Sequence, residues 1–191
     1  SPGSFSYDMD WVHYLRNVLP HTDFFLPSID ELLFMLRREQ GILDGAILHE
    51  ISDFLLDCGC GAVMIKLGRN GIYFRSSSDP ERLKILRKIS PEWQDWTGGE
   101  FWLPACRVRA AGTTGAGDAS IAGFLAGLAG GYGPEQSVRL ATGTAACAVM
   151  RRNSIAGIPS LEKVTEFLAT VPMRKSPKKL KKTVARGREK D

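Results

Sequence analysis

One glycine-rich segment constrains the fold of this chain more than any other feature. Residues 112–118 read Gly-Thr-Thr-Gly-Ala-Gly-Asp, and small or apolar residues follow up to position 128. Glycines let a backbone turn tightly and approach a ligand closely. The free N–H groups and the positive dipole end at a helix start attract anions. We therefore expect a strand over 103–108, a loop that binds phosphate, and a helix over 118–128.

Asp118 distinguishes this loop from the common phosphate-binding motifs. No lysine follows the glycines as it does in a P-loop, and the order G-x-x-G-x-G differs from the dinucleotide pattern G-x-G-x-x-G. An aspartate at a helix N-terminus stays ionised, because the dipole and the backbone N–H groups favour its charged form. Beside bound phosphate it suits the base for an attacking hydroxyl. Aspartate is also a common helix cap, and from the residues alone both interpretations remain open.

Apolar periodicity predicts the elements around this loop. Because helices and strands alternate in the first half of the chain, we expect an α/β fold. The two strands 62–67 and 72–74 form a hairpin around the turn Gly68–Gly71. Beyond the helix and strand named above, the pattern predicts helices over 11–19, 28–36, 46–57, 135–151 and 160–168, and a strand over 23–26.

Composition excludes several classes of protein. The chain has 191 residues, 43% of them hydrophobic, which suits one domain with a core and not a disordered chain. Four scattered cysteines are too few for a disulfide framework, and Cys58-Gly-Cys60 lacks a second pair of zinc ligands. Reduced thiols and the lack of a signal peptide predict a cytoplasmic protein. The spacing Gly123-x-x-x-Gly127 predicts close packing of two helices in a soluble fold, with no membrane partner.

Charge divides the chain into two parts. The net charge is +4, yet residues 174–191 contain nine Lys or Arg and two acids, so the rest is mildly acidic. Such a segment could bind nucleic acid or an anionic surface. No aromatic residue interrupts its lysines to stack on bases. We expect a domain over 1–173, a basic, disordered tail over 174–191, and no nucleic-acid partner.

The glycine segment closely resembles the second signature of the ribokinase-like, or PfkB, carbohydrate kinases. The likeness covers residues 112–125 and includes the spacing from Asp118 to Ala122-Gly123-Phe124. Residues 66–71 resemble the strand and turn that lie along the nucleotide in that family, and 141–146 resemble the helix beside the adenine. The resemblance runs from about residue 23 to 168. It implies a ribokinase-like doubly wound sheet with flanking helices.

The activity that this resemblance implies is ATP-dependent phosphorylation of a sugar or sugar-like alcohol. Asp118 would accept the proton of the acceptor hydroxyl, and Mg²⁺ would arrive with ATP. The acceptor could be a pentose, a hexose, a nucleoside or a sugar phosphate. The backbone N–H groups that would form the anion hole belong to Gly115, Ala116 and Gly117. The nucleotide-binding residues implied are Ser28, Lys66, Leu67, Gly68, Gly71, Thr142 and Ala146.

Three departures from the family pattern affect these expectations. Gly112 replaces the aspartate that usually begins the signature, which leaves a monovalent-cation site without support. The family's N-x-x-E motif appears as Ser28-x-x-Glu31, so Glu31 would contact Mg²⁺ only indirectly, and the same residues spell a helix capping box. The chain also resembles a C-terminal half, so we expect the N-terminal half and its lid to be missing. Two further expectations are a homodimer or a complementing N-terminal half as partner, and, as the alternative function, a non-catalytic nucleotide-binding or assembly module.

Overall fold

A computed structural model describes residues 7–39, 44–151 and 158–175. The α-helices in these ranges are α1 Trp11–Val18, α2 Ile29–Met35, α3 Gly45–Asp57, α4 Ala116–Ala129, α5 Pro134–Val149 and α6 Leu161–Thr170. The strands are β1 Phe24–Phe25, β2 Ala62–Lys66, β3 Ile72–Ser76 and β4 Glu100–Leu103. Short 3₁₀ turns cover Leu19–His21, Gly68–Asn70, Pro80–Lys88 and Trp93–Trp96.

The strands form one mixed sheet in the order β1-β2-β3-β4. β1 runs parallel to β2, and the β2–β3 and β3–β4 pairs are antiparallel. The predicted hairpin is confirmed, with Lys66 opposite Ile72 across the turn. Gly71 closes this turn at a φ of 97°, and a side chain there would collide with the Leu103 carbonyl oxygen. Only glycine fits such a position.

Helices cover both faces of the sheet, which confirms the α/β class. Alternate residues of β2 point to opposite faces. Val63 and Ile65 pack in a cluster with side chains of α1, α2 and α3. Met64 belongs to a second cluster that includes Phe124 of α4 and Val138 of α5. The strand is therefore apolar from residue 62 to residue 65, as expected of a strand that is buried on both faces.

Two glycines allow α4 and α5 to pack at close range. A Cβ at Gly123 would lie 2.5 Å from Thr144 Oγ1, and one at Gly127 would lie 2.8 Å from the Cα of Ser137. Because only a residue without a side chain tolerates such distances, the predicted role of this spacing in helix packing is confirmed. Across the described ranges, we find no helix that is both long and apolar enough to span a membrane.

The predicted strand over 103–108 is wrong. β4 lies at Glu100–Leu103, and beyond it Cys106 forms only an isolated bridge with Met173. Pro104 follows β4 directly; it has no N–H to donate to a ladder, which restricts it to the margins of a sheet. An irregular segment, and not a strand, therefore leads into the glycine loop.

The cysteines form no disulfide bonds. All four cysteines are free, with Cys60, Cys106 and Cys147 buried and Cys58 half-buried. In the part of the chain that the structure describes, no three His, Cys, Asp or Glu side chains gather where they could hold a metal ion. Of the predicted tail, only Arg174 and Lys175 belong to the described residues, and 176–191 lie outside them.

Candidate active site

The ends of several elements surround an open cleft of about 1070 Å³. Its walls come from the start of α2, the β2–β3 turn, the irregular segment after β4, the start of α4 and the inner face of α5. Every site residue predicted from the sequence lines this cleft: Ser28, Glu31, Lys66, Leu67, Gly68, Gly71, Gly115, Ala116, Gly117, Asp118, Thr142 and Ala146. The structure thus brings together residues that are up to 118 positions apart in the sequence.

The N-terminus of α4 opens on the cleft without a side-chain cap. Gly115 is the N-cap residue, with a φ of 78° that strongly favours glycine. Its carbonyl oxygen accepts from the Ala119 N–H (2.9 Å), and the Ala116 N–H donates a long bond to the Thr113 carbonyl (3.3 Å). The first N–H groups of a helix have no partner within the helix. The positive end of α4 is therefore directed at the cleft.

Lys66 lies beside this helix start. The residue ends β2, is half-buried, and its Nζ would be 3.7 Å from a Cβ at Gly117. Glycine at 117 thus leaves open the space between the ammonium group and the helix. Among the described residues no carboxylate forms an ion pair with Lys66. A lysine and a helix N-terminus that face one space favour a phosphate group between them.

Asp118 lies in the first turn of the same helix. Its side chain is exposed and lines the cleft. Within the described ranges it has no ion-pair partner. Because the carboxylate caps no helix and pairs with no cation, it is free to accept a proton from a molecule in the cleft.

The start of α2 is satisfied by its own side chains. The Ser28 N–H donates to Glu31 Oε2 (2.5 Å), and the Glu31 N–H donates to Ser28 Oγ (3.2 Å). This reciprocal pair confirms the capping box. Both side chains therefore cap the helix. The predicted contacts of Ser28 with the nucleotide and of Glu31 with Mg²⁺ stay predictions.

Small and apolar side chains of α5 form the opposite wall. The Thr142 hydroxyl donates to the Val138 carbonyl within the helix (3.0 Å), so its polar group is already used. Ala145, Ala146 and Val149 continue the wall. An apolar surface of small side chains suits a nucleobase, because such side chains can pack against the face of an aromatic ring.

Cys106 also lines the cleft, yet it is not placed to act as a nucleophile. The residue is buried, and burial raises the pKa of its thiol to about 11. The thiolate is the reactive form of cysteine. At neutral pH this thiol is protonated, so Cys106 does not provide a nucleophile in the cleft.

Ser120 and Arg174 are among the polar lining residues that the sequence analysis did not identify. Ser120 is buried in α4, and its hydroxyl has no hydrogen-bond partner among the described residues. Arg174 enters the wall from beyond α6, where the sequence analysis assigned it to the tail. No sequence pattern marks either residue, because serine is common in helices and a lone arginine begins the basic run.

The cleft fits a nucleotide better than a protein-bound metal. A buried hydroxyl without a partner needs a polar group or water, and the Ser120 hydroxyl is such a group in the lining of the cleft. Although Asp30, Glu31, Cys106 and Asp118 all line the cleft, no three His, Cys, Asp or Glu side chains among the described residues lie where they could together hold a metal ion. Mg²⁺ would therefore be held mainly by phosphate oxygens and water.

Comparison with known proteins identifies the family of the chain. The model of the pfkB family carbohydrate kinases matches residues 6–161. The chain is 28% identical over 161 residues to 2-dehydro-3-deoxygluconokinase of Bacillus subtilis, covering 83% of this chain and 41% of that protein. It is 31% identical over 150 residues to ribokinase of Schizosaccharomyces pombe, covering 78% and 41%.

A solved structure shows the same fold. A protein described as ribokinase II from Escherichia coli, in complex with ATP and Mg²⁺, superposes with a TM-score of 0.61 at 22% identity, covering 82% of this chain and 42% of that chain. The present chain thus spans about two-fifths of the length of the proteins that it matches. On the family match and the shared ribokinase-like fold, the chain belongs to the pfkB family of carbohydrate kinases.

Proposed function

We propose that the chain carries the nucleotide-binding and proton-accepting part of an ATP-dependent kinase that phosphorylates a hydroxyl group of a sugar or sugar-like alcohol. The observation that carries this proposal is the joint position of Asp118, Lys66 and the uncapped start of α4 on one cleft. A base and an anion site side by side are what transfer of phosphate to an alcohol requires.

The nucleotide lies along the cleft in this proposal. Thr142 and Ala146 of α5 cover the adenine, and Lys66 and the N–H groups of residues 115–117 bind the phosphates. The turn formed by Leu67, Gly68 and Gly71 provides backbone groups beside the sugar of the nucleotide. Two observations support this arrangement, namely the apolar α5 wall and the unpaired ammonium of Lys66. Mg²⁺ bound with ATP supplies positive charge that neutralises the phosphate oxygens.

The proposed step transfers the γ-phosphoryl group in line. The acceptor hydroxyl oxygen forms a bond to the γ-phosphorus, the bond from that phosphorus to the bridging oxygen breaks, and ADP leaves with the electron pair. The Asp118 carboxylate accepts the hydroxyl proton. The N–H groups of Gly115, Ala116 and Gly117 stabilise the charge that develops on the transferred group.

The two curated relatives favour a sugar or a sugar acid as acceptor, since their names are ribokinase and 2-dehydro-3-deoxygluconokinase. ATP and Mg²⁺ are the proposed cofactors. Gly112 brings no side-chain oxygen to a monovalent cation, so potassium is not part of the proposal. A cytoplasmic location suits an ATP-consuming enzyme with four free thiols. The proposed partner is a second copy of the chain or a complementing N-terminal half.

The test is sugar-dependent release of ADP. The chain is incubated with Mg-ATP and a panel of pentoses, hexoses, nucleosides, sugar phosphates and sugar acids, alongside Asp118→Ala and the control Asp57→Asn. Asp57 is an exposed carboxylate at the end of α3 that does not line the cleft. We expect release with at least one acceptor, loss in Asp118→Ala and retention in Asp57→Asn. Turnover unchanged in Asp118→Ala would exclude this base.

A second candidate function is a non-catalytic nucleotide-binding or assembly module. Two observations favour it: the chain spans 41% of each curated relative, and Gly112 and Ser28 replace family residues. The same experiment separates the candidates. Binding of Mg-ATP without ADP release on any acceptor would support the module, and phosphorylation of a single acceptor would exclude it.

A further inference from the structure

The segment after α6 is held against the cleft by backbone hydrogen bonds. The Arg107 N–H donates to the Pro172 carbonyl (2.7 Å), and the Arg174 N–H donates to the Ala105 carbonyl (2.8 Å). Residues 172–174 thus run antiparallel to 105–107, of which Ala105 and Cys106 line the cleft. We call these two short segments, 105–107 and 172–174, the clasp.

A contact between side chains also holds the two segments of the clasp together. Cys106 is buried at the bridge with Met173, and the two sulfur atoms lie 3.8 Å apart. On the preceding side, α6 packs against α5, where a Cβ at Gly143 would lie 2.8 Å from the Leu168 side chain. The position of Arg174 is therefore fixed by the fold, although the sequence analysis assigned this residue to a disordered tail.

Arg174 is one of three cations on the cleft that lack an acidic partner among the described residues. The other two are Lys66 and Arg69. Elsewhere in the fold, arginines do form ion pairs, as Arg75 does with Asp53 (2.6 Å). Arg174 is half-buried, so part of its side chain is withdrawn from water without a carboxylate in return.

An arginine in this situation fits an anionic ligand. Guanidinium groups bind phosphate through two parallel N–H···O bonds, and such charge-assisted bonds are among the strongest that a side chain forms. The clasp fixes the backbone from which the guanidinium extends, so less freedom is lost on binding. Lys66 and the start of α4 already direct positive charge at the same cleft.

We propose that Arg174 binds the phosphate groups of the nucleotide, so that the segment after α6 forms part of the site. The inference rests on the proposed nucleotide binding and adds a residue that the resemblance to the family did not supply. Its consequence is that the basic segment beginning at residue 174 starts inside the cleft wall.

Binding measurements with three probes test the role of Arg174. The dissociation constants of ATP, inorganic tripolyphosphate and adenosine are measured for the chain, for Arg174→Ala, for Arg174→Lys and for the control Lys175→Ala. Lys175 is an exposed neighbour of equal charge that does not line the cleft. In Arg174→Ala we expect ATP and tripolyphosphate to bind about tenfold more weakly or worse, since a bond to a charged group is lost. Adenosine binding stays unchanged, Arg174→Lys recovers part of the loss, and Lys175→Ala binds all three probes like the wild type.

The outcomes that overturn the inference are distinct from those that overturn the proposed function. The clasp uses backbone groups, so ligand-free Arg174→Ala should unfold at the temperature of the wild type. If Arg174→Ala binds ATP as tightly as Lys175→Ala, Arg174 does not contact the phosphates, and the proposed function stands. An equal loss for adenosine and ATP would likewise exclude a phosphate contact. A wild-type chain that binds neither ATP nor tripolyphosphate would overturn both proposals.

Discussion

The two helices that begin at the cleft differ in how their first N–H groups are satisfied. α2 begins after Ser28, where the hydroxyl and the carboxylate of Glu31 form a complete capping box. α4 begins after Gly115, which has no side chain to offer as a cap. The first N–H groups of a helix need hydrogen-bond partners. Side chains contribute such partners at the start of α2, whereas at the start of α4 no side chain of the described residues does and the Ala116 N–H has only a long bond to the Thr113 carbonyl. We therefore assign a structural role to the capped start of α2 and propose that the uncapped start of α4 binds an anion.

Packing explains how α4 can keep an uncapped end. Gly123 and Gly127 bring the helix against α5 at backbone distance, and Phe124 is fully buried between the helices and the sheet. Burial of this kind stabilises a helix more than its end groups do. The proposed anion site therefore lies on a helix whose position does not depend on a cap.

The largest expected effect is on kcat, and it distinguishes Asp118 at the start of α4 from Glu31 at the start of α2. In Asp118→Asn, kcat for sugar phosphorylation should fall by about 10²- to 10⁴-fold, since the base is lost. The KM for ATP should change little, because the amide has nearly the same shape. In Glu31→Gln, kcat should stay within a few-fold, because the amide oxygen can still accept from the Ser28 N–H. Steady-state kinetics measure both, and equal losses would contradict the distinction.

The next effect concerns the packing that holds α4. Gly123→Val places a branched side chain where Thr144 Oγ1 is 2.5 Å from the Cβ position, so we expect a loss of about 3 kcal/mol of stability. Ala122→Val, on the exposed side of the same helix, should lose less than about 1 kcal/mol. Urea unfolding compares the two variants. If Gly123→Val were as stable as Ala122→Val, α4 and α5 could move apart without a loss of stability.

A smaller effect tests the backbone of the uncapped helix start. Gly115→Ala forces a side chain into the left-handed region at φ 78°, which should lower stability by about 1–2 kcal/mol. Gly112→Ala is the matched control, because Gly112 has no positive φ and its nearest neighbour would be the Arg151 carbonyl oxygen at 3.6 Å. In thermal unfolding, Gly115→Ala should unfold at a lower temperature than Gly112→Ala. The reverse order would show that residue 115 is not the strained position.

The smallest effect removes the cap of α2. Ser28→Ala should lower the free energy of unfolding by about 1 kcal/mol, as other cap removals do. The affinity for ATP should change less than twofold if the Ser28 hydroxyl serves the helix only. Isothermal titration with Mg-ATP checks this point. A tenfold loss of affinity would show that Ser28 also contacts the nucleotide, as the resemblance implied.

The sequence was sufficient to predict those parts of the site whose residues lie close together in the chain. Gly115, Gly117 and Asp118 lie in one short segment, so their arrangement follows from a loop and a helix start alone. The turn at Gly71 likewise joins two neighbouring strands. The loop and the turn are each determined locally, and their assignment to one nucleotide site came from the resemblance to the kinase family.

The sequence was not sufficient to predict contacts between segments that are far apart in the chain. Glu100 begins β4, and its carboxylate accepts from the Tyr73 hydroxyl across the sheet (2.6 Å), a long-range contact without a local pattern. The apolar run after Leu103 was mistaken for the strand, although Pro104 interrupts it. Arg174 reaches the cleft only because residues 172–174 pair with a segment almost 70 residues earlier.

The central claim is that the space between Lys66 and the start of α4 binds the phosphates of ATP. Gly117→Val fills that space while the residue stays exposed on a helix, and Ala122→Val is the control on the same helix. Thermal unfolding is measured for both variants and the wild type, with and without Mg-ATP. At a hundredfold excess over its Kd, ATP adds about 2.7 kcal/mol, or roughly 5 to 11 °C for a chain of this size. The account predicts this rise for the wild type and Ala122→Val and little or none for Gly117→Val; an equal rise in all three, or no rise in the wild type, would contradict it.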